Sequence, residues 1–211
     1  IKKTAKIAAL SLFADWTFAA TTNDKWGDIL PLRQLTRTGE KVTAFCLGGY
    51  HLGFIENPKE AERMIERSME LGVRFFDNAR GYHDGRSEEY MGKFLTQKYR
   101  DKIFLMTKAP AKTAEGVRQQ LDESLKALKT DYVDLLQIHS CSLETLKKGE
   151  VIEALQKIRD SGKARFIGYS GDNEAAAYAM SLDLFDTLQT SFNLVDQKAR
   201  QNLFPKVEKN N

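Results

Sequence analysis

Short apolar runs alternate with longer amphipathic stretches along most of this chain. Leu32–Leu35 and Lys41–Phe45 flank Thr38-Gly39-Glu40 and read as two extended segments about a tight turn. Val42–Leu47 runs into Gly48-Gly49, a strand followed by tight backbone. Pro58–Leu71 reads as a helix: Pro58 suits its first turn, Ala61, Met64, Ile65 and Met69 share one stripe, and Gly72 stops it. Val73–Phe76, Ile103–Met106, Tyr132–Ile138, Ala164–Tyr169 and Phe185–Phe192 read as strands. The intervening helices are Ser87–Phe94, Thr113–Leu128, Val151–Ile158 and Asn173–Met180, with a last one beginning near Gln197. Ser87 is the expected N-cap of its helix, with Glu88 and Glu89 in the first turn.

Strands alternating with helices at this spacing imply βαβ units and a parallel sheet, either doubly wound or closed into a barrel. The stretch Gly48-Gly49-Tyr50-His51-Leu52-Gly53 lacks the glycine spacing of a doubly wound dinucleotide fold. Polar, chemistry-bearing residues at several consecutive strand ends favour the barrel. The expected fold is therefore α/β, a (β/α)8 TIM barrel truncated after strand six and part of the following helix. A closed barrel of this kind typically takes ~250 residues. The chain begins with Ile1 and ends in Lys-Asn-Asn inside an apparent helix, so a piece of a longer polypeptide is expected.

Residues 1–20 stand apart. Ile1–Lys6 is basic, Ile7–Phe13 is apolar, and Thr17-Phe18-Ala19-Ala20 places small residues at alternate positions. That order is an export signal's, and it resembles the tail of a twin-arginine signal without the arginine pair. The apolar run falls far short of the ~20 residues that span a bilayer, so no membrane span is expected. If the signal is used the protein is periplasmic, and otherwise cytoplasmic. Residues 21–28 read as a polar linker and 29–211 as the barrel domain.

Composition adds mainly exclusions. With 32 basic and 29 acidic residues interleaved, no block of like charge or aromatic-laced basic stripe marks a nucleic-acid surface. The two cysteines, Cys46 and Cys141, are too few for a disulfide scaffold and have no zinc-site spacing; free thiols are expected, and no metal site. His51 and His83 read as solvated loop histidines, with His83 near any pocket built around Tyr82.

The candidate chemistry lies at the strand ends: Asp77, Tyr82, Lys108 and His139. A phenol holds its proton at neutral pH, and a nearby ammonium makes it a better acid. Lys108 can supply that charge, Asp77 can keep the ammonium paired, and His139 can donate a hydrogen bond where negative charge develops on a substrate oxygen. Such a set suits adding a proton to a carbonyl oxygen or removing one from an alcohol. The electron pair must come from elsewhere, and a nicotinamide hydride is the natural source.

Six stretches carry a resemblance: Val73–Tyr82 (VRFFDNARGY), Gly85–Leu95 (GRSEEYMGKFL), Ile103–Lys108 (IFLMTK), Tyr132–His139 (YVDLLQIH), Ala164–Ser170 (ARFIGYS) and Leu188–Asn193 (LQTSFN). With Leu32–Gly49 as an opening hairpin and first strand, the chain from about residue 29 onward resembles the aldo-keto reductases. The resemblance implies a monomeric barrel that binds NADP(H) without a doubly wound domain and reduces a small aldehyde or ketone. It implies Tyr82 as general acid/base, Lys108 as its activating partner, Asp77 paired with Lys108, and His139 orienting the carbonyl. Ser170 and Gln189 fall where the family holds the nicotinamide carboxamide; Gly49, Tyr50 and Asp77 fall near the cofactor ribose and substrate. Departures are Gly171 after Ser170, Ser140-Cys141 after His139, and Phe192-Asn193 in place of a common Tyr-Asn pair. The family's strands seven and eight, with the stacking aromatic and the grip on the 2′-phosphate, have no counterpart here, so weak cofactor binding by the isolated piece is expected. Two other readings stay open: a Schiff-base enzyme using Lys108, and a non-catalytic, NADPH-sensing interaction subunit of the same fold.

Overall fold

The structure is a computed structural model and describes residues 22–207. The export signal expected at 1–20 lies outside the described residues. The stretch read as a linker forms a small antiparallel ribbon, β1 (Asn23–Asp24) and β2 (Gly27–Asp28). It is tied down: Asp24 takes two hydrogen bonds of 2.9 Å from the guanidinium of Arg74. A second antiparallel pair follows, β3 (Leu32–Gln34) and β4 (Lys41–Thr43), joined through a tight helical turn at Thr36–Thr38.

The main sheet has six parallel strands in sequential order: β5 (Leu47–Gly48), β6 (Phe75–Asp77), β7 (Phe104–Ala109), β8 (Val133–His139), β9 (Ala164–Ser170) and β10 (Thr187–Gln189). Helices fill the crossovers: α1 (Gly49–Phe54) and α2 (Pro58–Glu70), then α3 (Arg86–Met91), which runs through a wide turn at Gly92–Thr96 into α4 (Gln97–Tyr99). After them come α5 (Ala114–Leu128), α6 (Leu143–Lys148), α7 (Glu150–Asp160), α8 (Asn173–Ser181), α9 (Lys198–Asn202) and α10 (Phe204–Val207). Local chemistry sets several starts. Asn57 accepts from the Lys59 amide with Pro58 at the first position, and Thr113 and Ser142 cap α5 and α6 likewise.

Strand residues divide by parity. Leu105, Ala109, Leu136, Ile138, Ile167 and Tyr169 pack with the helices, including Val117, Leu121 and Leu155. The alternate residues Phe104, Met106 and Leu135 face the other way and cluster with Phe75, Phe166 and Val42 of β4. The sheet is thus buried on both faces, as parallel sheets are, and the β3–β4 pair packs into its concave side. The sheet is curled enough for β10 to meet β6 across the interior, where Gln189 donates to Asp77 at 2.9 Å. This is a half-barrel with six of the eight strands of a (β/α)8 fold; β5 and β10 are its edges.

Three expectations differ from the structure. The tight backbone expected at Gly48-Gly49 is the start of α1, held by the Ser87 hydroxyl donating to the Gly49 carbonyl at 2.7 Å. Ser87 is consequently not an N-cap: α3 starts after Gly85, whose φ of 90° turns the chain in. The last strand is shorter than Phe185–Phe192, because pairing with β9 covers Thr187–Gln189 alone. Among the described residues no helix is long and apolar enough to cross a membrane, and no group of three or more His, Cys, Asp or Glu is arranged to hold a metal.

Candidate active site

Parity and stagger bring the polar residues together. In β7 and β8 the apolar inward series Phe104, Met106 and Leu135 gives way toward the strand ends to Lys108, Gln137 and His139. Register pairs Lys108 with Gln137, His139 with Ser170, and Ser170 with Gln189. Asp77 ends β6, two residues short of Lys108's level because it pairs with Met106.

Lys108 is 1% exposed, and its ammonium has acceptors for all three N–H groups. It donates to Asp77, to the Asn78 carbonyl at 3.0 Å, and to the Tyr82 oxygen at 3.3 Å. An ammonium this deep would cost several kcal/mol if unpaired. Asp77 offsets that cost with one carboxylate oxygen and uses the other to accept from Gln189. Because Lys108 donates to the phenol oxygen, the Tyr82 O–H remains available for another acceptor.

The remaining rim is aromatic. The Tyr82 ring lies edge-on to His139, centroids 5.8 Å apart, and to Tyr50 at 5.4 Å. His139 is partly buried; its loss of solvation, and secondarily the Lys108 charge, hold its pKa below the usual imidazole value. It is neutral at pH 7, with one N–H to give. His83 is not a free loop side chain. Its ring packs between Tyr50 and Phe54, at centroid distances of 4.9 and 4.4 Å. A Cβ at Gly53 would come within 2.6 Å of that ring, which accounts for the glycine.

All the residues singled out from the sequence lie at this end of the sheet, with different surroundings. Tyr50 is half-exposed on the rim. Gly49 is buried, and a Cβ there would meet Ser87 Oγ at 2.5 Å and Asn78 Oδ1 at 2.6 Å, so its packing alone calls for glycine. Ser170 is buried beside Gln189, whose Oε1 is buried without a partner. Asp172, just past the Gly171 departure, accepts from Thr190 and Ser191. Cys46 and Cys141 are both free thiols, and burial pushes Cys141 up to about 11.

Sequence reasoning missed Gln137, which is 1% exposed directly below the cluster and donates to Thr187 at 3.2 Å. Its signal was a polar residue at an inward position of an otherwise apolar strand. The Asn78 carbonyl, a backbone acceptor for Lys108, left no sequence signal.

Comparison with known proteins gives one consistent result. The model of the Aldo/keto reductase family matches residues 44–211. L-galactose dehydrogenase of Arabidopsis thaliana is 37% identical over 67% of this chain and 49% of its own length. An aldo-keto reductase from Bacillus halodurans superposes with a TM-score of 0.77 at 23% identity, over 85% of this chain and 63% of its own. One from Klebsiella pneumoniae, solved with NADPH, gives 0.70 at 24% identity, over 81% and 62%. The two structural likenesses speak to the fold. The chain spans about half the length of the curated relative it matches at 37% identity.

Proposed function

The chain belongs to the aldo/keto reductase family, and on that premise we propose that the full protein reduces an aldehyde or ketone to an alcohol, with NADPH as hydride source and Tyr82 as general acid. The observation that carries this reading is the three-way sharing of the buried Lys108 ammonium, which donates to Asp77, to the Asn78 carbonyl and to the phenol oxygen at 3.3 Å. An ammonium beside that oxygen favours the state in which it has given up its proton.

NADPH, when bound, supplies the hydride. The residues at hand suit its carboxamide: the unpartnered Gln189 Oε1 can accept an amide N–H, and Ser170 lies next to it in register. As the new C–H bond forms, Tyr82 passes its O–H proton to the carbonyl oxygen, and solvent at the rim reprotonates it. Neutral His139 donates a hydrogen bond to the same oxygen and orients it toward the phenol. Asp77 keeps the Lys108 charge paired throughout. Tyr50, half-exposed beside Tyr82, borders the substrate.

The test is turnover of the full-length protein on a panel of aldehydes and ketones with NADPH. Tyr82→Phe is expected to lower kcat by about 10²–10⁴-fold, the usual range for loss of a general acid. NADPH affinity should be nearly unchanged. Undiminished reduction by that variant overturns the assignment of Tyr82.

A further inference from the structure

Glu88 has no part in the reaction just described, yet its side chain is fully buried, 0% exposed. Burying a carboxylate is costly unless it is paired and hydrogen-bonded. Both oxygens are engaged. Oε1 accepts from the Thr107 hydroxyl at 2.6 Å, and Oε2 from the Arg80 guanidinium at 3.0 Å.

Those two partners lead to the two halves of the proton-transfer pair. Thr107 precedes Lys108 on β7, its side chain on the opposite face of the strand. Arg80 lies two residues before Tyr82, and its own amide donates to the Lys108 carbonyl at 2.9 Å. The chain then folds back over the guanidinium. His83 and Asp84 take left-handed backbone at φ 50° and 55°, and Gly85 follows at φ 90°. A Cβ at Gly85 would overlap the Arg80 guanidinium itself. The turn carrying the phenol is therefore wrapped on the Arg80 side chain, and Glu88 anchors that side chain from beneath. Glu123, at 3.2 Å from the same guanidinium, is half-exposed and secondary.

We infer that Glu88 is a positioning residue for the Tyr82–Lys108 pair, clamping the phenol's turn and the amine's strand onto one carboxylate. This rests on the proposed role of Tyr82. Without the clamp, both side chains remain but their separation is no longer held. A misplacement of about 1 Å in such a pair can cost on the order of 10²-fold in rate.

The experiment compares Glu88→Gln and Thr107→Val with the parent in the full-length protein. Steady-state reduction is followed across pH, and NADPH binding is measured by fluorescence titration. In Glu88→Gln, kcat should fall about tenfold or more with NADPH Kd little changed. Its basic limb should move to higher pH, because a phenol farther from the ammonium gives up its proton less readily. Thr107→Val loosens one side of the clamp and should move the limb the same way by less. Should Glu88→Gln fail to fold, Thr107→Val alone decides. A limb that stays in place in the folded variants assigns Glu88 to fold stability only and overturns the inference, whether or not kcat and affinity fall together. Failure of the underlying reading looks different: Tyr82→Phe would itself retain activity.

Discussion

Lys108 has three N–H bonds to give, and Asp77, Asn78 and Tyr82 take them all. A charge so fully engaged has one preferred position, so the phenol beside it meets the ammonium at a set distance. His139 completes the picture in the opposite way, by staying uncharged. Burial and the Lys108 ammonium hold its pKa below the ordinary 6.5. Proton linkage gives the sign. Well above pH 6.5 neither folded nor unfolded chain protonates this imidazole, so it contributes nothing to pH dependence there. As pH falls through 6.5 the unfolded chain takes up the proton first, so the native state loses stability, until pH passes the lower native value. NMR titration should place the His139 midpoint below the ordinary imidazole value of 6.5. A His139 midpoint at or above 6.5 contradicts the assigned electrostatics. His139→Gln should remove this part of the acid sensitivity in denaturant unfolding compared at pH 7.5 and 5.5.

Helix α3 touches more of the site than its length suggests. Ser87 holds α1, Glu88 holds β7 and the Tyr82 turn, and Gly92, the residue just past its end, lies against α5. A Cβ at Gly92 would overlap the Ala127 carbonyl oxygen and come within 2.9 Å of its carbon. Backbone cannot yield there as a flexible side chain would, so Gly92→Ala should cost about 1–3 kcal/mol through overpacking. A lowered urea midpoint at unchanged slope checks it. These elements also mark where sequence reading works. Strands buried on both faces are continuous apolar runs, so β7, β8 and β9 were visible within a few residues, and Lys108 and His139 with them. Helix α1 was hidden because Gly49 and Gly53 weaken the helical pattern; tertiary contacts with Ser87 and His83 require both glycines. Ser87 looked like a cap because a serine before two glutamates usually is one. The competing demand, a hydroxyl for the Gly49 carbonyl, comes from a residue 38 positions away.

The molecule as a whole is a curled sheet whose ends are held by long-range side-chain ties. Arg74, 6% exposed, binds Asp24 of the leading ribbon as well as the Met69 and Val73 carbonyls. The Arg74 hydrogen bonds hold the Asp24 carboxyl below its ordinary value of 3.8. That stabilisation is present above the unfolded carboxyl's value and is lost as pH falls through the native one. Asp24→Asn leaves the guanidinium without its counter-charge. Breaking a fully buried pair costs about 3–5 kcal/mol, and partial exposure of Asp24 reduces that to about 2 kcal/mol. Equilibrium unfolding at pH 7 measures the loss, and the deficit should shrink below pH 4. One further tie has a temporal consequence. Asp77 receives its second hydrogen bond from Gln189, 112 residues later in the chain. At ribosomal speeds of ~5–20 residues per second, that partner is made about 6 to 22 s after the carboxylate. The proton-handling centre thus lacks one of its hydrogen bonds until the sixth strand has been made.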